Sequence, residues 1–385
     1  MPLDAAALSQ ALIRCPSVTP EDAGALAVLE ATLKPLGFSC KRLRFEAADT
    51  APVENLYARV GSDSPHFCFA GHTDVVPVGD AAQWKHDPFG AKILDGTLYG
   101  RGAADMKAAI AAFVVAAERH LAKGKLKGSI SLLITGDEEG IGVNGTKKML
   151  GWLSENGERI DHCIVGEPTS TTSSGDTLKI GRRGSINFRV AVRGVQGHVG
   201  YPHRALNPIP ILAVLVNRLS GEPLDNGTPH FEPSTLAFTS IDVGNDATNV
   251  IPAEATARFN IRFNDLHTPE TLKHRVETKA KDVADEMGGE ISVTSQTSGV
   301  AFLTQPGPFT ELVSDAVAKV TGSKPETSTS GGTSDARFIK DHCPVVELGL
   351  SGTTMHKVDE CMSVSEIHRL TDIYESVLDA YFARK

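Results

Sequence analysis

Six side chains of this sequence could bind metal ions or transfer protons, and each lies at the end of an apolar segment or in a turn beside one. They comprise two imidazoles and four carboxylates, which is about the set that a two-metal hydrolase needs for its ligands and one general base. The six residues are His72, Asp105, Glu138, Glu139, Glu167 and His356.

The first histidine lies in the segment Gly71-His72-Thr73-Asp74, directly after an apolar run. In an extended chain, residues two apart project to the same side. The Asp74 carboxylate could therefore accept a hydrogen bond from one ring nitrogen of His72 while the other nitrogen binds a metal ion. This spacing predicts that Asp74 orients a metal ligand.

Asp105 follows a glycine-rich turn and precedes an alanine-rich segment. It could cap the helix that this segment predicts, or it could bind a metal ion. Phosphate binding is not expected, because the turn matches neither G-x-x-x-x-G-K-[ST] nor G-x-G-x-x-G.

Adjacent acids follow a second apolar run in the motif Asp137-Glu138-Glu139, and one carboxylate can bind metal while its neighbour holds a proton. Glu167 follows a third run, and His356 lies in the loop after a fourth. Alone, each could be a solvated acid or a structural histidine. Together they fit the crevice at the carboxyl ends of strands, and they predict paired zinc ions, with cobalt or manganese as alternatives.

Short apolar strands alternating with helices must carry these residues. This pattern predicts an α/β catalytic domain with a mostly parallel sheet and helices on both faces. The predicted strands are His66 to Ala70, Ser129 to Thr135, His162 to Val165 and Pro344 to Leu350, and the predicted helices are Asp105 to Leu121 and Ser365 to Phe382.

The middle of the chain has the order β-α-β-β-α-β, which predicts a ferredoxin-like α+β domain. Because chemistry-bearing strands occur on both sides of it, we interpret residues 183–297 as an insertion into a catalytic domain of residues 1–182 and 298–385. The predicted elements are Ser185 to Arg193, Asn207 to Leu219, Leu236 to Val243, Ala255 to Phe263, Pro269 to Met287 and Glu290 to Thr297.

Size and composition limit the number of domains, the classes of partner and the cellular location that we expect. The 385 residues favour two domains, and a formal charge of -9 argues against a nucleic-acid-binding protein. Neither a signal peptide nor a membrane span is recognisable, so we expect a cytoplasmic protein without membrane partners. The six cysteines lack C-x-x-C spacing, which predicts reduced, mostly buried thiols rather than zinc ligands or disulfides.

The motifs G-H-T-D-V-V-P, G-R-G-A-A-D-M-K, T-G-D-E-E-G, V-G-E-P and M-H-K-V-D-E, in this order, resemble the M20 family of dinuclear zinc amidohydrolases and peptidases. The resemblance implies that Asp105 bridges two zinc ions, with His72 and Glu167 on one ion and Glu139 and His356 on the other. It also implies that Glu138 is the general base and acid, and that a cis peptide bond follows Asp105.

The resemblance further implies a homodimer formed through the inserted domain. His198 would then reach the partner's site and polarise the scissile carbonyl. Two arginines would bind substrate carboxylates, and four polar side chains would donate or accept hydrogen bonds. The arginines are Arg182 and Arg262, and the polar residues are Ser185, Tyr201, Asn249 and Thr333.

Three further motifs, I-G-R-R-G-S, G-H-V-G-Y-P-H and S-G-G-T-S-D-A-R-F, narrow the expected reaction. They imply hydrolysis of N-succinyl-LL-2,6-diaminopimelate, a small acyl-amino-acid substrate, to succinate and LL-2,6-diaminopimelate. Alternatives are an acetylornithine deacetylase, an aminoacylase, a di- or tripeptidase, or a catalytically silent metal-binding module. One residue departs from the pattern expected for enzymes that hydrolyse N-succinyl-LL-2,6-diaminopimelate. Many of them are expected to carry asparagine where this chain has Gly352, which puts one substrate contact in doubt.

Overall fold

Two compact units make up the computed structural model, which describes residues 2–383. Residues 1 and 384–385, the outer limits of the predicted catalytic domain, lie outside the described residues. The larger unit comprises Met1–Ile180, Thr304–Ser328 and Ser334–Lys385, and the smaller unit comprises Gly181–Leu303 and Thr329–Thr333.

The larger unit is built on one sheet whose four central strands run parallel. Antiparallel strands flank these four, so the predicted mostly parallel α/β sheet is confirmed. In spatial order the strands are Ser39–Phe45, Val53–Val60, Ser129–Thr135, His66–His72, His162–Val165, Val345–Glu347, Thr177–Lys179 and Glu326–Ser328.

Helices cover this sheet on both faces, since every residue of the strands His66–His72 and Ser129–Thr135 is buried. Aromatic packing joins sheet to helix: the Phe69 and Phe113 ring centroids lie 4.4 Å apart, and Tyr374 contacts both rings edge-on. The helices are Ala5–Ile13, Ala25–Leu33, Lys107–Ala122, Thr146–Glu155, Pro308–Thr321, Ala336–Ile339 and Val364–Ala383.

A small antiparallel sheet of the larger unit consists of Lys92–Leu94, Thr97–Tyr99 and Cys361–Ser363. Several predicted elements of the larger unit have different bounds: the strand from His66 ends at His72 rather than Ala70, and the last helix is Val364–Ala383 rather than Ser365 to Phe382. The strand predicted from Pro344 is only Val345–Glu347, because its apolar sequence continues into a buried loop. The helix predicted from Asp105 begins at Lys107, so Asp105 lies in the preceding turn.

The smaller unit has the predicted ferredoxin-like order. Its antiparallel sheet has the spatial order Thr235–Asp242, Glu254–Phe263, Gly184–Arg193, Glu290–Gly299. The helices Pro208–Ser220 and Pro269–Met287 share a core with this sheet, to which Phe188, Leu215, Phe259 and Val276 contribute. On the strand Gly184–Arg193 buried and exposed residues alternate in part, as expected for a sheet with one covered face.

The smaller unit is longer than the predicted insertion of residues 183–297. A short antiparallel pair, Gly181–Arg182 with Phe302–Leu303, extends it at both ends. The separate segment Thr329–Thr333 also belongs to it, and one of its contacts is the hydrogen bond that Arg182 Nη1 donates to the carbonyl of Gly332 at 3.1 Å. That non-local contact has no signature in a single sequence.

Across residues 2–383, none of the helices combines the length and apolar character needed to cross a membrane. All six cysteines are free thiols: Cys68, Cys163 and Cys343 are buried, and the other three are partly buried. The strand Cys361–Ser363 and three longer strands each carry one of them, where it serves as a small apolar side chain.

Candidate metal centre

The predicted metal ligands collect at the carboxyl ends of the parallel strands. His72 is the last residue of its strand, and His356 lies in the loop after Val345–Glu347. Glu139 follows the parallel strand Ser129–Thr135, and Glu167 follows the parallel strand His162–Val165. Asp105 comes from the turn before the helix Lys107–Ala122. Because parallel strands end at one edge of the sheet, residues far apart in sequence meet there.

One group of possible ligands is buried. His72, Asp105 and Glu167 each offer one ligand atom, and these atoms lie within 4.8 Å of one another. His72 Nε2 is 3.1 Å from Asp105 Oδ1 and 3.9 Å from Glu167 Oε1. All three residues are less than a tenth exposed, so a cation here would have little contact with bulk water.

A second group is more open. It consists of Asp105, Glu139 and His356, and His356 Nε2 lies 2.7 Å from Glu139 Oε1 and 3.4 Å from Asp105 Oδ2. The His356 side chain is 47% exposed. Its backbone φ of 61° is in the left-handed region, which is sparsely populated by non-glycine residues and recurs at functional sites.

Asp105 belongs to both groups and presents one carboxylate oxygen to each histidine. The Asp105–Met106 peptide bond is cis, as the family resemblance implies. Each group contains the residues that the resemblance assigns to one ion, and a carboxylate with this orientation is suited to bridging two cations. The ligand assignment itself stays a prediction.

The burial and hydrogen bonding of Glu167 indicate whether this pocket fits a cation. Its Oε1 atom is buried and has no hydrogen-bond partner among the described residues. Burial, followed by the charges of Asp105 and Glu138, raises the pKa of Glu167 well above its ordinary value. A buried carboxylate oxygen is costly unless it is paired, so a divalent ion would satisfy it. With mixed imidazole and carboxylate donors, the residues fit zinc.

The histidines show how strongly these acids attract positive charge. Hydrogen bonds to Asp105 and Glu139 raise the pKa of His356 to about 10. Burial opposes protonation of His72, but its contact with Asp105 and the neighbouring carboxylates raise its pKa well above 6.5. Conversely, burial opposes ionisation of Asp105, yet hydrogen bonds from His356 and His72 keep its pKa below the usual range.

Asp74 contacts His72 differently from the prediction. His72 Nδ1 lies 2.9 Å from the backbone carbonyl oxygen of Asp74, whereas the nearest carboxylate oxygen is 3.7 Å away. The carboxylate instead accepts backbone N–H groups from Glu138 at 3.3 Å and Glu139 at 3.0 Å. The predicted carboxylate-imidazole hydrogen bond is therefore wrong, because the acidic turn occupies that carboxylate.

Glu138, the predicted general base, is partly buried beside the ligands. Burial raises its pKa to about 8, with further increases from the negative charges of Asp335 and Glu139. Its neighbour Asp335, which the sequence reasoning did not single out, is buried and accepts a 2.6 Å hydrogen bond from the Thr146 hydroxyl.

Comparison with known families identifies the scaffold. The family model described as Peptidase family M20/M25/M40 matches residues 68–380. The chain belongs to this family. The matched region contains all six residues of the candidate metal centre.

Individual relatives agree with the family match. The chain is 60% identical over 381 residues to a protein named succinyl-diaminopimelate desuccinylase from Rhodospirillum centenum, covering 99% of this chain and 98% of the relative. Among solved structures, aminopeptidase PepT of Bacillus cereus superposes with a TM-score of 0.81 at 22% identity, covering 99% of this chain and 98% of that chain. The YxeP protein of Bacillus subtilis, described as a dinuclear metal binding peptidase, has a TM-score of 0.72 at 16% identity, with 98% coverage of each chain.

The substrate-binding residues predicted from the M20 resemblance all lie in the smaller unit. Arg182 and Ser185 are buried, and Ser185 Oγ accepts a hydrogen bond from Asn260 at 3.0 Å. Arg262 pairs with Ser185 across two strands and makes no ion pair with a described residue. Burial and the positive charge of Arg183 lower the Arg262 pKa, a setting that favours an anionic ligand.

The other predicted contacts of the smaller unit lie in or beside loops. Tyr201 is 54% exposed, Asn249 is exposed and Thr333 is partly buried. His198 is also exposed, and its Nδ1 accepts the backbone N–H of Gly200 at 3.0 Å. Their roles in substrate binding, and that of His198 across a dimer, stay predictions.

Gly352 has a structural explanation in the larger unit. A Cβ atom at this position would lie 3.1 Å from the carbonyl oxygen of Pro168 and 3.3 Å from the sulfur of Met355. Asparagine would therefore require its neighbours to shift by a few tenths of an ångström. Glycine allows the close approach of the two loops.

Proposed function

We propose that this chain hydrolyses N-succinyl-LL-2,6-diaminopimelate to succinate and LL-2,6-diaminopimelate. The 60% identity to a named desuccinylase, over nearly the full length of both chains, is the observation that carries this substrate assignment. The geometry of the metal centre supports the reaction class, because two ligand groups share Asp105 beside an unassigned carboxylate, Glu138.

Two zinc ions, for which cobalt or manganese could substitute, would be held by His72, Asp105, Glu139, Glu167 and His356. When bound, they would supply Lewis-acid polarisation of the amide carbonyl and lower the pKa of the attacking water. The buried Glu167 Oε1, which has no hydrogen-bond partner among the described residues, supports this arrangement.

Glu138 would transfer the proton. Its carboxylate would remove a proton from the attacking water and then give it to the leaving amine nitrogen, which must be protonated to depart. The hydrogen bonds from the Glu138 and Glu139 N–H groups to Asp74 fix the backbone of this acidic turn. Asp74 would thus position the base rather than react itself.

The smaller unit would supply substrate recognition. Arg182 and Arg262 would bind carboxylates of the substrate, while the polar residues provide directional hydrogen bonds. We also infer a cytoplasmic homodimer in which His198 of one subunit polarises the scissile carbonyl bound to the other. The polar residues that would hydrogen-bond the substrate are Ser185, Tyr201, Asn249 and Thr333.

The decisive experiment measures succinate release from N-succinyl-LL-2,6-diaminopimelate by the zinc-loaded protein. N-acetylornithine, acyl-amino acids and short peptides form the comparison panel. We expect Glu138→Gln to keep its zinc and lose about 10²–10⁴-fold in kcat. Preference for another substrate would reassign the enzyme within the family, and zinc binding without any hydrolysis would indicate a silent metal-binding module.

A further inference from the structure

A buried carboxylate outside the predicted ligand set binds the turn that carries Asp105. Glu360 is fully buried, and its Oε1 atom accepts three backbone N–H groups. The donors are Gly102 at 3.1 Å, Ala104 at 2.8 Å and Asp105 at 3.2 Å. One oxygen therefore fixes the backbone on the amino-terminal side of the bridging carboxylate, including the N–H of Asp105.

The second oxygen of Glu360 binds an equally buried cation. Arg101 Nη1 donates to Glu360 Oε2 at 2.6 Å and also to the carbonyl of Lys357 at 3.2 Å. Arg101 Nη2 donates to the carbonyl of Pro77 at 3.3 Å. The pair thus connects the Asp105 turn to the residue after His356 and to the segment that follows the His72 strand.

We propose that Glu360, held by Arg101, is a positioning residue that aims the Asp105 carboxylate between the two ligand groups. The pair binds the backbone of Asp105 and of Lys357, the residue after His356, and within residues 2–383 it makes no hydrogen bond or ion pair with a ligand side chain. A buried ion pair generally adds little stability over an apolar pair of similar volume, so stability alone does not account for it. Orientation of ligands by such outer contacts commonly changes metal affinity about 10–100-fold.

This inference rests on the metal sites of the proposed function, and zinc affinity tests it independently of turnover. Glu360→Gln keeps the size of the side chain but turns an amide NH₂ toward either Arg101 or the three N–H donors. The matched control is Glu158→Gln. Glu158 accepts a hydrogen bond from the Tyr57 hydroxyl and pairs with Arg59, and neither belongs to the candidate metal centre.

Each metal-free variant is titrated with Zn²⁺ against a chromophoric chelator, and its thermal unfolding is measured without metal. We expect Glu360→Gln to bind at least one zinc ion about 10–100-fold more weakly, whereas Glu158→Gln keeps the affinity of the unsubstituted protein. Unchanged zinc affinity in Glu360→Gln, with only a lower unfolding temperature, would overturn the proposal and leave a purely structural role.

Arg101→Lys covers the case in which Glu360→Gln does not fold. Lysine keeps the positive charge but cannot make the three contacts of the guanidinium, so zinc affinity should fall about 10-fold. Wild-type affinity in this variant would also contradict the proposal. If the unsubstituted protein releases no succinate, the substrate assignment fails, while the zinc affinities still decide the role of Glu360.

Discussion

The two ligand groups of the candidate metal centre share Asp105 but differ in their access to solvent. His72 and Glu167 are buried, whereas His356 is about half exposed and Glu139 is partly buried. Electrostatic attraction is stronger where water is excluded, and the Glu167 oxygen without a hydrogen-bond partner among the described residues adds a reason to bind a cation there. We infer that the buried group binds its ion more tightly and that the open group admits water and substrate.

The largest effect should come from the residue that both groups share. Asp105→Ala removes the carboxylate oxygens that face His72 and His356. We expect the variant to retain neither ion after passage through chelator-treated buffer and to show no measurable hydrolysis. Metal analysis after gel filtration checks this result, with Glu158→Gln as the control. Retention of two ions would show that Asp105 does not bridge.

Substitutions in single groups should separate the two affinities. In a mild chelator we expect the unsubstituted protein and His356→Ala to retain one ion per chain, held by the buried group. Glu167→Gln should lose that ion, with an affinity loss of at least about 100-fold, since even outer-shell changes reach this size. Metal analysis across a chelator series measures the difference. The reverse pattern, with the ion kept in Glu167→Gln, would contradict the inference that the buried group binds its ion more tightly.

The sequence could predict much of this centre because its residues follow local rules. The strands Ser129–Thr135 and His162–Val165 have the predicted bounds, and an acid follows each at the sheet edge. The ferredoxin-like order was also readable, because its alternating strands and amphipathic helices differ in period from the buried parallel strands.

The parts that sequence reasoning missed depend on contacts between distant residues. Glu360 accepts a hydrogen bond from the N–H of Asp105, which lies 255 positions earlier in the sequence. Nothing local to the M-H-K-V-D-E motif indicates that partner. The spacing of His72 and Asp74 suggested a carboxylate contact, but the turn at Glu138 competes for it. Periodicity predicts which face a residue occupies, and it cannot decide which of several donors a buried acid accepts.

Stepwise metal addition should resolve the two groups as unequal contributions to stability. A ligand that binds only the folded state stabilises it by about 2.7 kcal/mol at 100 times its Kd. We expect the first equivalent of zinc to give most of the increase in unfolding temperature of the metal-free protein. The second equivalent should give a smaller increase, which disappears in His356→Ala. Equal increases from both equivalents would mean that burial does not separate the affinities.

The smallest expected effect tests how Asp74 contributes to each group. Asp74→Asn preserves the backbone carbonyl that lies 2.9 Å from His72 Nδ1 but weakens the acceptor for the Glu138 and Glu139 N–H groups. The buried ion should therefore keep its affinity, while kcat and the affinity of the open group fall about 10-fold. Chelator titration and steady-state kinetics on the same preparation measure both. Loss of the buried ion would instead show that the Asp74 carboxylate, despite its 3.7 Å separation, is what orients His72.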